Sequence, residues 1–189
     1  MHISAIILIF CWVLFLLYWG ITALSVKKAK VTQGVQGMLW HQIQIAVSFL
    51  LLAGIIPLWP FNQVVWSHSA LTDGGGAFLG VVGVAVAIWA RRTLAGNWSS
   101  SVTFKHDHQL IVNGPYGWVR HPIYTGILLM MLGTALSLGR LDSILGFVLR
   151  YFYYVFSKIK TEENILTQHF SKAYPAYQKR TKALIPFLW

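Results

Sequence analysis

The run from Ile3 to Leu24 reads ISAIILIFCWVLFLLYWGITAL and carries no charged residue. As a helix it would extend roughly 30 Å at 1.5 Å per residue, the thickness of a bilayer's hydrocarbon core. Lys27, Lys28 and Lys30 follow directly. No Lys or Arg precedes the run, it is long for a secretion signal, and no A-x-A cleavage site closes it, so it is expected to be a retained membrane span. Similar apolar stretches predict further spans over residues 39–59, 76–90, 122–138 and 141–156. Only Gly139 and Arg140 separate the last two, which predicts a tight helical hairpin.

Composition agrees with that reading. Of 189 residues, 56% are hydrophobic and only 11% charged, against about a quarter charged in a soluble domain. So few polar groups cannot cover a globule, and the mean hydropathy of +0.59 makes lipid the expected solvent. The aromatic residues suit the belts at membrane interfaces. One domain over residues 1–189 is expected, an all-α polytopic bundle of about five transmembrane helices followed by an amphipathic cytosolic helix. The net charge of +10 is carried in loops and a tail between apolar runs, a pattern for anionic membrane lipids and not for nucleic acid. Cys11 is the single cysteine, which excludes an intrachain disulfide and any cysteine-based metal site.

The basic residues also orient the chain. Lys27, Lys28 and Lys30 follow the first span, Arg91, Arg92, Lys105 and Arg120 the third, and six further cations the fifth. The loop after the second span has none, and Arg140 is the lone exception, free to snorkel. The positive-inside rule then places the amino terminus outside and the carboxyl terminus in the cytoplasm. The size suits a prokaryotic inner membrane. Gly74 to Gly76 precede a membrane helix and follow no strand, so Gly76 and Gly80 are read as a close helix contact, not a phosphate loop.

Two polar blocks, residues 91–121 and 157–189, are expected to meet at the cytoplasmic face. In the second, Ile165, Leu166, His169, Phe170, Tyr174 and Tyr177 recur near helical spacing, and Pro175 is expected to kink or divide that helix. The first ends in Gly114-Pro115-Tyr116-Gly117-Trp118-Val119-Arg120-His121-Pro122-Ile123-Tyr124-Thr125-Gly126. Pro122 fits the first turn of the fourth span, whose positive mouth suits an anionic group. The Gly114-Pro115 turn is expected to fold Tyr116 and Trp118 towards that mouth, where an aromatic face can stack on a purine or meet a cation. Glu162 and Glu163 are an unexpected acidic pair in a cationic tail. One of them is expected to face Arg120 and His121.

These paired motifs, with Glu162-Glu163-Asn164-Ile165-Leu166, Phe170, Tyr174, Tyr177 and Pro186 behind them, resemble the isoprenylcysteine carboxyl methyltransferases and the related phospholipid N-methyltransferases. The likeness covers roughly residues 97–186. It implies an S-adenosyl-L-methionine-dependent methyltransferase with a cytosolic cofactor pocket and a lipidic or prenylated substrate taken from the bilayer. It further implies cofactor contacts from Ser101, His108, Gln109, Leu110, Ile111, Tyr116, His121, Pro122, Ile123, Tyr124 and Glu162. Lys158 stands where the family carries an arginine for the substrate carboxylate, keeping the charge and losing the bidentate fork. Ser171 replaces the family's glycine after Phe170. Methyl transfer to an ionised carboxylate needs no base, so the expected catalytic role is a cation on the carboxylate, from Arg120 or Lys158. An amine acceptor would want a base, His121 or Glu162. The competing expectations are a phospholipid or small isoprenoid or thiol methyltransferase, a sterol-type reductase using NADPH, and a non-enzymatic membrane adaptor or transporter. Against the last, the spans show almost no ionisable residues that would mark a pathway.

Overall fold

The computed structural model describes residues 2–24, 35–56, 59–95 and 110–186, with side chains from 2–23 and 39 onwards within those ranges. The described residues form α1 (Ile3–Leu24), α2 (Val35–Leu52), α3 (Ala70–Leu94), α4 (Pro122–Leu138), α5 (Leu141–Tyr153), α6 (Ile159–His169) and α7 (Ala173–Arg180). No strand occurs among them, only two isolated bridges, Val64 to Arg140 and Val119 to Lys182. Helices Ile3–Ala23 and Ala70–Leu94 are long and apolar enough to cross a membrane, and the stretches Leu39–Leu52 and Pro122–Leu138 are shorter apolar helices.

Helix α3 begins at Ala70, earlier than the apolar run alone suggests, because Ser69 caps it. The Ser69 hydroxyl accepts from the Thr72 N–H and the Thr72 hydroxyl accepts from the Ser69 N–H, so polar residues before Gly76 join the helix. Helix α2 stops at Leu52, short of Trp59. The expected fifth span ends α-helically at Tyr153, then passes through a π-helical turn, Tyr154–Lys158, into α6. The expected single amphipathic tail helix is two helices, α6 and α7, parted at Phe170 to Lys172. Pro175 does not make that break; it lies in the first turn of α7, where no N–H partner is missed.

Glycines set the centre of the bundle. A Cβ on Gly83 would lie 2.6 Å from the Gly126 carbonyl oxygen, and one on Gly76 would lie 2.6 Å from that of Gly133. Helices α3 and α4 therefore touch backbone to backbone, as small residues permit. A Cβ on Gly80 would meet Leu8 of α1 at 2.6 Å. The core around them is Cys11, Phe15, Val84, Ala87 and Met130, with Leu52, Met131 and Ala135 packed beneath α5. Outward faces carry large exposed apolar residues, among them Phe10, Leu16, Leu17, Trp40, Phe78 and Phe152.

The helices alternate in direction. His2 stacks on His68 at 4.7 Å, which brings the start of α1 to the start of α3. At the far ends, Arg91 donates to the Thr22 carbonyl at 3.2 Å. The Ser143 hydroxyl donates to the Leu52 carbonyl, joining the end of α2 to the start of α5. Gly139, left-handed at φ 63°, closes α4 and makes the expected hairpin turn. Its carbonyl accepts from the Val65 N–H. Arg140, expected to snorkel, is paired with Asp142. One end of the bundle thus holds residues 59–69 and the hairpin turn; the other holds the mouth of α4.

Candidate active site

Three pieces of chain build the mouth of α4. The first is the turn Gly114–Gly117, a short 3-10 helix that sets Pro115 and Tyr116 in the interior and leaves Trp118 exposed. Trp118 is therefore not folded to the mouth as expected; Tyr116 alone is. The second is α6, delivered by the π turn. The third is the segment after α7, which runs beside Val119 to His121. There the Arg120 N–H donates to the Lys182 carbonyl at 2.8 Å and the His121 N–H to that of Ala183 at 3.0 Å. The Thr125 hydroxyl donates to the Leu184 carbonyl. These bonds tie the segment after α7 to the chain that enters α4.

Both glutamates face the mouth, not one. Arg120 Nε and Nη2 each lie 2.8 Å from Glu163 Oε1, and Arg120 Nη1 donates to the carbonyls of Gln178 and Thr181. His121 Nε2 is 3.1 Å from the same Glu163 oxygen, and Gln178 donates to the other at 2.8 Å. The second glutamate has different partners. Glu162 Oε1 accepts from the Tyr124 hydroxyl and lies 3.3 Å from Lys158 Nζ, and its Oε2 is 3.6 Å from His121 Nδ1. His121 therefore stands between the two carboxylates, one ring nitrogen to each.

The charges follow from these contacts. Burial alone would raise the Glu163 carboxyl, but hydrogen bonds from His121 and Arg120 and their charge outweigh it and hold it at about 2. Glu163 is a fixed anion. Burial pushes the Tyr116 hydroxyl above its ordinary range, with Tyr177 and Glu162 adding to that, so Tyr116 stays neutral. Burial does the same to Tyr177, whose hydroxyl donates to the Tyr116 carbonyl and ties α7 to the turn.

Of the residues expected at the site, Arg120, His121, Tyr124, Lys158 and Glu162 converge in one network, and Tyr116 is buried beside it, its carbonyl accepting from Tyr177 of α7. Pro122 is buried at the first position of α4, with Ile123 half-buried beside it. Leu110 and Ile111 are half-buried on the irregular chain entering the Gly114 turn. Ser101, His108 and Gln109 lie outside the described residues.

Glu163 fulfils the expectation that one of the two glutamates faces Arg120 and His121; Gln178 and the carbonyls of Thr181 to Leu184 complete the network without having been expected in it. Backbone carbonyls leave no sequence signal. Arg150 is the other residue missed: it lies inside the expected fifth span, and an ionisable group there is itself a signal. It opens a series at four-residue spacing, Arg150, Tyr154, Lys158 and Glu162.

Apolar helices with Arg120, His121, Lys158, Glu162 and Glu163 gathered at the mouth of one of them define an all-α protein with a mostly buried charged network at one end of the bundle. The sequence profile of the phospholipid methyltransferases matches residues 73–173, more than half of the 189, and the chain belongs to that family. Its relatives include protein-S-isoprenylcysteine O-methyltransferases of Schizosaccharomyces pombe, 38% identical over 43% of this chain and 35% of that protein. Those of Saccharomyces cerevisiae (31% identical, 76% of this chain, 62% of that protein) and Dictyostelium discoideum (34%, 59% and 48%) also match. The chain spans between about a third and three-fifths of the length of these relatives.

Proposed function

We propose that the chain is a polytopic membrane methyltransferase that uses S-adenosyl-L-methionine to esterify the carboxylate of a lipidic acceptor, most simply a prenylated cysteine. The observation that carries this reading is the meeting of both tail glutamates with Arg120, His121 and Tyr124 at the mouth of α4. The names of its relatives supply the reaction class. The alternating helix directions and exposed apolar faces support five passes through the bilayer, with the site at the cytoplasmic end.

The residues suit the cofactor. Glu162 is a partly accessible carboxylate, able to accept from ribose hydroxyls or an ammonium group. Tyr116, His121 and Tyr124 offer rings for a nucleoside. When bound, S-adenosyl-L-methionine supplies a methyl carbon on a sulfonium, and transfer to a carboxylate forms an O–C bond, breaks an S–C bond and releases no proton. The protein's work is placement and exclusion of water, not base catalysis. Glu163 holds Arg120 and His121, and so sets the ring that separates the two carboxylates. With all three of its nitrogens engaged, Arg120 acts as a positioning residue. Lys158 sits beside Glu162 and keeps the latter's charge compensated.

Titration of the detergent-solubilised protein with S-adenosyl-L-methionine, S-adenosylhomocysteine and NADPH tests this. Both sulfur nucleosides are expected to bind and NADPH is not. Preference for NADPH would instead establish a reductase, and indifference to all three would leave an adaptor. Radiolabelled methyl donor with a lipid extract then identifies the acceptor: a base-labile ester is expected, and a stable methylamine would transfer the reading to phospholipid headgroups.

A further inference from the structure

The cations around this site are not equally occupied. Arg120 is committed to Glu163, and Lys158 lies against Glu162. Arg150, in the last turn of α5, is only 4% exposed and pairs with no carboxylate among the described residues. Its Nη2 donates to the Tyr154 hydroxyl at 3.1 Å, while Nε and Nη1 have no hydrogen-bond partner there. Its remaining contacts are with rings: the guanidinium carbon lies 4.5 Å from the Tyr154 centroid and 5.5 Å from that of Tyr153. A guanidinium withdrawn from water with donors unused is among the costliest groups a fold can retain, and costlier still in a bundle bathed in lipid.

Its position links it to the mouth of α4. Tyr154 stacks on Tyr124 at 4.3 Å, and Tyr124 stacks on His121 at 5.6 Å. Arg150, Tyr154, Tyr124 and His121 thus form one continuous series of planar contacts ending between the two glutamates. The π turn makes the alignment possible. Four residues of α-helix overshoot a full turn by about 40°, so Arg150, Tyr154, Lys158 and Glu162 would spiral apart on a regular helix. The wider turn over Tyr154–Lys158, in which the Ile159 N–H bonds to the Tyr154 carbonyl five residues back, takes up that drift. Arg150, Tyr154 and Lys158 are all buried. On the lipid side, Leu149, Phe152 and Phe156 are exposed, and across the seam with α2 so are Trp40 and Ile43. His41 closes the seam, its Nδ1 2.6 Å from the Tyr153 hydroxyl.

We propose that Arg150 is the receptor for the anionic head of an amphiphile entering from the bilayer. The unused Nε–H and Nη1–H bonds would hold an oxyanion, while its apolar tail lies over the exposed face of α5 and α2. The occupant is an amphiphile and not a soluble anion, because Arg150 is sealed from water while its neighbours in sequence face hydrocarbon. The inference rests on the methyltransferase reading only for the statement that this amphiphile is the acceptor. The head is a carboxylate or a phosphate; either satisfies the donors.

The test uses the full-length detergent-solubilised protein, N-acetyl-S-farnesylcysteine, the methyl ester of that compound and farnesyl phosphate. Binding of S-adenosylhomocysteine is measured in parallel. The intact protein is expected to bind the acid, or the phosphate, roughly tenfold or more tightly than the ester. Arg150→Met is expected to bind all three alike while keeping its affinity for S-adenosylhomocysteine, and Arg150→Lys to retain part of the preference. A phosphate preference that vanishes in Arg150→Met would establish the receptor with a phosphate head. An unchanged preference in Arg150→Met, or none in the intact protein, would overturn the proposal. Failure of the intact protein to bind S-adenosylhomocysteine would overturn the methyltransferase reading instead, and the acid-to-ester comparison would still decide the receptor.

Discussion

Glu162 and Glu163 are neighbours in sequence with opposite duties. Glu163 accepts from Arg120, His121 and Gln178, which come from two other stretches of chain, so its carboxylate holds the tail to α4. Glu163→Gln should cost on the order of 3 kcal/mol, because it leaves a mostly buried guanidinium without its counter-charge. A large fall in melting temperature would show it. Glu162→Gln removes the counter-charge of the buried Lys158 and should lower melting as well. It should also weaken S-adenosylhomocysteine binding roughly tenfold or more, as loss of a charged acceptor does. Equal effects of the two variants on binding and melting would cancel that division. The pH dependence follows from the Glu163 carboxyl, which lies at about 2 when folded against an ordinary 4.5. Its stabilisation is complete above about pH 4.5 and is lost as the pH falls towards 2. The gap in melting temperature between the intact protein and Glu163→Gln should therefore be constant from pH 7 to 5 and narrow by pH 3.

At the scale of elements, α3 and α4 are held by absence of side chains. Gly83→Ala should cost about 2–3 kcal/mol, since its Cβ would meet the Gly126 backbone and neither helix can move without disturbing the other's contacts. Gly74→Ala is the control: a Cβ there meets nothing within 4 Å, and melting should stay level or rise. The Gly76 and Gly80 spacing announced this contact, though not that Gly80 would face α1 while Gly76 faces α4. The tail shows the reverse case. Its periodicity predicted one helix, kinked or divided at Pro175, yet the chain breaks at Phe170 to Lys172. Tyr174 and Tyr177 are both buried, and the Tyr177 hydroxyl ties α7 back to the Gly114 turn, a tertiary contact that no helical repeat encodes.

For the whole molecule, the two ends of the bundle carry different residues, and the proposed topology puts them on opposite sides of the membrane. In a Cys11→Ser background, Trp59→Cys should react with an impermeant maleimide from outside intact cells or vesicles, and Lys172→Cys only after permeabilisation. Labelling of both from one side would refute the five-pass arrangement. Much of this architecture was legible in the amino-acid sequence: apolar runs, basic loops and the Arg120-His121-Pro122 motif depend on composition and short spacing, which each residue carries wherever the chain goes. They named the helices, the orientation to test, the family and most of the residues at the mouth of α4. The tertiary structure alone decided that both glutamates reach that mouth, that Arg120 is saturated there, and that Arg150 is buried with donors to spare. Those facts depend on which side chains and carbonyls, distant along the chain, come within hydrogen-bond reach. That is a property of how helices rotate and pack, and here a single π turn sets the rotation.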